Sequence, residues 1–191
     1  MPSVRCRVLL ALMVFTLGVA LDPEDALARD TEKSWEFGGY ALLSHYASGS
    51  NIDNGFGLGA RGGYHFKAIH ELEGSLDSVS ADNASRSGIS YDVKKVSVDY
   101  LHMFLIKGHE KITPFASFGV GLISVDDGSD SAKSASYRGG GGFKYFFKPR
   151  VAFRFDLKIF RWHGDGDVLA RDPYFSLDTT FGLAFLVGGS K

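Results

Sequence analysis

The run Val151-Ala-Phe-Arg-Phe-Asp-Leu-Lys-Ile159 decides the fold. Val151, Phe153, Phe155, Leu157 and Ile159 share one parity, and Arg154, Asp156 and Lys158 share the other. A period of two is that of a β-strand, whose successive side chains point to opposite faces. The stretch is therefore a strand with one apolar and one charged side. Working outward, the final segment repeats the pattern: Phe175, Leu177, Phe181, Leu183, Phe185 and Val187 oppose Ser176, Asp178, Thr180 and Gly182. So does an early one, with Phe56, Leu58, Ala60, Tyr64 and Phe66 opposite Gly55, Gly57, Gly59, Arg61, Gly63 and His65.

Four further segments fit the same period. Tyr137, Phe143, Tyr145 and Phe147 alternate with Arg138, Gly140, Gly142 and Lys144, and Ala116, Phe118, Val120 and Leu122 with Ser117, Gly119 and Gly121. Val96, Val98, Tyr100, His102 and Phe104 share one parity; Leu72 and Leu76 oppose Glu71, Glu73, Ser75 and Asp77. Trp35 to Tyr46 reads as an eighth strand whose faces are ambiguous. Neither an internal helix nor a second domain is predicted.

The N-terminus reads as a secretory signal. Arg5 and Arg7 precede an apolar run from Val8 to Leu21, and Ala26-Leu27-Ala28 is an A-x-A cleavage site. The run is shorter than the roughly 20 residues a spanning helix needs. Expected boundaries are thus a cleaved peptide over 1–28, a short periplasmic segment over 29–34 and a barrel domain over 35–191. Cys6 leaves with the peptide, so the mature chain has no thiol, which excludes disulfides and cysteine chemistry. A formal net charge of −1 argues against nucleic acid as a partner. No stretch after Leu21 is apolar for long enough to form a membrane helix. An exported chain of this kind enters a membrane only as a closed barrel, because lipid satisfies no backbone hydrogen bonds.

The connections read independently of the strands. Short links fall near Lys67–Ala68, Ile106–Lys111 and Lys148–Arg150. Longer polar ones, rich in Gly, Ser, Asn and Asp, fall at Ala47–Asn54, Ser80–Ser90, Asp126–Ser134 and Trp162–Pro173. Their strict alternation is that of short periplasmic turns and longer external loops. The direction of the faces follows from size. Eight strands enclose an interior just wide enough for side chains. The apolar parity carries too many large groups, many of them Phe, to fit inside. The glycine, serine and charge parity suits a narrow lumen, which leaves the apolar parity in lipid. Trp35, Tyr64 with Phe66, Tyr145 with Phe147, and Tyr174 with Phe175 are expected to form interfacial girdles. The predicted fold class is all-β, an eight-stranded antiparallel up-and-down transmembrane β-barrel.

On these residues the chain resembles the OmpA/OmpX-like family of small outer-membrane barrels. The runs that carry the likeness are Gly55 to Phe66, Pro114 to Leu122, Gly139 to Phe146 and Thr180 to Phe185. The resemblance implies a cell outer-membrane location in a Gram-negative envelope. It also implies biogenesis through periplasmic chaperones and the barrel assembly machinery, and contact with outer-membrane lipid and lipopolysaccharide. Members often end on a phenylalanine; here Phe185 is followed by Leu186 to Lys191, so that element is displaced. The family includes anchors, adhesins and serum-resistance proteins, and fold likeness alone does not choose among them.

The lumen parity holds Arg61, Glu71, Glu73, Asp77, Arg138, Lys144, Arg154, Asp156, Lys158 and Asp178, which are expected to pair into a plug. His163 is the nearest candidate for the Ser-His chemistry of lipid A deacylase barrels, but no serine stands two residues away. Asp126, Asp127 and Asp130, and Asp165, Asp167 and Asp172, form acidic loop clusters without a diagnostic metal spacing. No catalytic, cofactor-binding or metal residue is assigned. The expected function is a non-enzymatic barrel serving as surface scaffold, in envelope integrity or in adhesion. The loops over 47–54, 80–90, 126–134 and 162–173 would carry any extracellular ligand. The alternatives are a lipid A-modifying barrel enzyme and a soluble periplasmic lipocalin-like carrier.

Overall fold

The computed structural model describes residues 31–47, 52–82, 90–109, 111–126, 131–163 and 173–189. Eight strands follow one another: β1 (Ser34–Tyr46), β2 (Gly55–Lys67), β3 (His70–Asp82), β4 (Ser90–Met103), β5 (Ile112–Asp126), β6 (Ser131–Lys148), β7 (Val151–His163) and β8 (Pro173–Gly188). Each pairs antiparallel with its sequence neighbour, and β1 also pairs with β8, which closes the barrel. Closure removes the sheet edges that a strand structure cannot expose to lipid.

The orientation is as the alternation requires. Leu58, Leu76, Phe118, Tyr137 and Ile159 point outward and are exposed, while Glu36, Glu71 and Asp156 are fully buried. The ambiguous first strand resolves with Ser34, Glu36, Tyr40, Leu42 and Ser44 inside and Trp35, Phe37 and Leu43 outside. Its ambiguity has a simple source: Tyr40 and Leu42 are lumenal, while Gly39 lies on the outer face.

Three expectations need correction. Tyr174 does not join the outer girdle; it is buried inside, its ring 5.1 Å from that of Trp162. The links do not alternate strictly. β4 and β5 are joined by residues 104–111, on the short-turn side, whereas β5 and β6 are separated only by 127–130. The outer strand ends also run into the segments read as loops: β3 continues to Asp82, β6 begins at Ser131 and β7 ends at His163.

These outer extensions follow a reversed polarity. On their inner side lie Val79, Val93, Ile123 and Phe160; on their outer side lie Ser78, Lys94, Ser124 and Lys133. The latter four form one row across β3 to β6, through the pairs Ser78↔Lys94, Lys94↔Ser124 and Ser124↔Lys133. The next row down is Leu76, Val96, Leu122 and Ala135. Polar-out over apolar-in is the pattern of a sheet in water, so the step between the rows marks the outer edge of the lipid band. On β5 the apolar outer face runs from Ile112 to Leu122, about the 9–11 residues a tilted strand needs to cross.

Candidate functional site

Alternation delivers charge to the interior from every wall. All ten charges assigned to the lumen are buried, and Glu36, Lys95 and Asp99 join them. Glycines on the same parity provide room. A methyl group on Gly63 would meet the Glu71 carboxylate, and one on Gly119 would meet Asp99.

The buried groups form a continuous ladder. At the turn-side end, the Lys144 ammonium donates to Glu36 and, at 2.7 Å, to Glu71; His65 Nε2 lies 3.2 Å from Glu36. One level up, Arg154 donates to Glu36 at 3.1 Å and Asp156 at 2.8 Å, and also pairs with Glu73. Arg61 reaches Asp156 at 2.9 Å, and Thr180 donates to the same carboxylate at 3.0 Å. Lys158 donates to Asp99 at 2.7 Å, and Arg138 grips Asp99 through two nitrogens. Nearest the loops, Lys95 binds Asp178 at 2.7 and 2.9 Å, and Ser44 donates to the same group. Among the described residues Asp77 has no cation within ion-pair distance; the Tyr40 hydroxyl donates to it instead. Buried charges persist only when paired and hydrogen-bonded in this way.

Apolar clusters lie above and below the ladder. Toward the loops, Leu42, Val79, Val93, Ile123, Phe160, Trp162 and Tyr174 pack together with Ile52. Toward the turns lie Leu101, Met103 and Phe115, with a second group of Phe146, Ala152, Ala184 and Leu186. At each junction a phenylalanine ring receives a cation. Lys95 Nζ stands 4.6 Å from the Phe160 ring centre, and Arg154 Cζ stands 4.6 Å from that of Phe115. A ring face takes an ammonium or guanidinium on one side and aliphatic carbon on the other, which suits it to this boundary.

By donor type, Glu36, His65 and Glu71 could hold a metal ion, their ligand atoms lying within 4.8 Å of one another. The ammonium of Lys144 already bridges both carboxylates there. His163 is exposed at the outer end of β7. Its backbone N–H donates to Ser134 Oγ at 3.3 Å, so the contact with serine does not involve the imidazole. Of the proposed recognition loops, Ile52 is buried in the upper cluster and the Asp53 N–H donates to the Asp82 carbonyl at 2.8 Å. Residues 48–51, 83–89, 127–130 and 164–172 lie outside the described residues, and with them Asp127, Asp130, Asp165, Asp167 and Asp172. The expected signal peptide over 1–28 lies outside them too.

Sequence alternation had the information for two of the missed charges. Lys95 and Asp99 stand on the parity opposite Val96, Val98 and Tyr100. Glu36 carried no such signal, because the faces of its strand were unassigned.

Residues 8–183 match the model of the outer membrane protein beta-barrel domain family. No curated protein matches the chain by sequence. Among solved structures, Neisserial surface protein A is similar at 14% identity with a TM-score of 0.60, over 81% of this chain and 97% of that one. The outer membrane protein OprG from Pseudomonas aeruginosa is similar at 12% identity and 0.57, over 83% and 97%. Ail, the attachment invasion locus protein of Yersinia pestis, is similar at 18% and 0.53, over 82% and 99%. At such identities these likenesses carry the fold alone. With the family match over most of its length and a lipid-facing closed barrel, the chain belongs to the outer-membrane β-barrel family and is a protein of the cell outer membrane.

Proposed function

We propose that this chain is a non-enzymatic scaffold of the outer membrane whose lumen is plugged, and that it serves envelope integrity or surface adhesion through its outer loops. The observation that carries the reading is the buried ladder of ion pairs running through the barrel between apolar clusters. An ion entering the lumen would have to part pairs whose remaining partner is costly to strand, on the order of 3–5 kcal/mol each. Reconstitution into a planar bilayer tests this. The expected trace shows no conductance above that of the bare membrane; a stable ohmic step would overturn the plug.

The lipid A-modifying alternative lacks a serine two residues from His163, and purified protein is expected to leave the acyl chains of lipid A intact by mass spectrometry. The band edge supports contact with lipopolysaccharide. Lys94 and Lys133 face outward on either side of Ser124, about 10 Å apart at two strand spacings, at the height of anionic headgroups. Biogenesis would use periplasmic chaperones and the barrel assembly machinery. Cleavage after Ala28 predicts a mature N-terminus at Arg29, readable by sequencing the purified protein.

A further inference from the structure

On the outer wall at the turn-side end, His70 opens β3 and His102 nears the close of β4, and the two are direct cross-strand partners. We propose that this pair is a binding site for a single divalent transition-metal ion, bound at the periplasmic headgroup level. Side chains opposite each other on antiparallel strands have Cβ atoms about 4.5–5.5 Å apart, close enough to share an ion. The imidazole ring centres stand 5.2 Å apart and are tilted by 53°. Two imidazoles on one tetrahedral ion, at about 2.1 Å per nitrogen, place their centres roughly 5 Å apart. The rings already have that separation.

The surroundings hold them there. Phe66 stacks on His70 with centroids 5.6 Å apart, and Phe104 meets His102 edge-on at 5.1 Å. Tyr100 Oη lies 2.5 Å from His70 Nδ1. With Nδ1–H donating to the Tyr100 oxygen, the lone pair of Nε2 is left for the ion, which is how second-shell partners orient metal-bound histidines. The turn over Ala68 and Ile69 immediately precedes His70, so water can complete the coordination. Neutral imidazole with water favours ions of borderline softness such as Zn²⁺, Ni²⁺ and Cu²⁺ over Mg²⁺ or Ca²⁺.

The test is calorimetric titration of the untagged, refolded full barrel in detergent micelles with zinc chloride. The expected result is one Zn²⁺ per barrel. His70→Asn and His102→Asn should each weaken binding about tenfold or more, and Tyr100→Phe less than either. His45→Asn and His163→Asn should leave the isotherm unchanged. A heat-dependent gel shift shows that each variant is folded, so loss of binding reports the ligands. Failure of the parent to bind zinc, or binding that survives His70→Asn with His102→Asn, would overturn the site. The inference is independent of the scaffold reading, since it concerns the outer wall and not the lumen.

Discussion

Arg154 has the most demanding position in the barrel, because Glu36, Glu73 and Asp156 all depend on it. Arg154→Met would leave those carboxylates short of a cation in a buried setting, at a cost on the order of 3–5 kcal/mol. Urea unfolding in phospholipid vesicles, followed by tryptophan fluorescence, measures it. Removing both members of a pair is expected to cost less than removing one. Lys95→Met combined with Asp178→Leu should be more stable than Lys95→Met alone. Glycine tells the same story through close approach. A methyl on Gly142 would stand 1.9 Å from the Phe155 carbonyl oxygen, whereas on Gly139 its nearest neighbour is 3.8 Å away. Gly142→Ala should therefore destabilise by about 1–3 kcal/mol while Gly139→Ala is near neutral in the same assay. These residues also show how far sequence reaches. Strand alternation placed Arg154 and Asp156 inside from their neighbours alone. The partner of each charge depends on the register of distant strands, which no local pattern records, and Tyr40 as the partner of Asp77 was invisible for that reason.

A strand here passes through two solvents, and its face pattern changes accordingly. Within the lipid band β5 shows Ala116, Phe118, Val120 and Leu122 outward; beyond it Ser124 and Asp126 take over and Ile123 and Val125 fill the inside. A single period-two reading holds only on one side of the step. For that reason the strand ends at Ser80–Asp82 and Ser131–Ser134 read as polar loop, and the band itself read clearly. The step makes a prediction for charge insertion. Phe118→Arg near the middle of the band should cost about 2–4 kcal/mol, and Ser124→Arg at the rim about 0–1 kcal/mol, in the same vesicle unfolding assay.

At the scale of the whole molecule the barrel is a closed wall with two incompatible surfaces, and its fold is the arrangement that satisfies both. Phenylalanine and aliphatic side chains meet acyl chains, charges meet one another, and apolar clusters lie inside at both ends of the ladder. The strand number, the antiparallel order and the sense of the faces were legible in the sequence because lipid leaves so few alternatives. The apolar interior clusters were not, since Leu42, Phe160 and Trp162 resemble lipid-facing residues in composition and differ only in parity. The orientation of the wall is tested most directly by a nitroxide scan along β5 in bilayers, made simple because no cysteine follows Cys6 in the sequence. Labels at Ala116→Cys, Phe118→Cys, Val120→Cys and Leu122→Cys should collide freely with dissolved oxygen, and labels at Ser117→Cys and Ile123→Cys should be shielded and immobile. A scan with the opposite phase, or with no period of two, would contradict a barrel whose phenylalanines face the membrane.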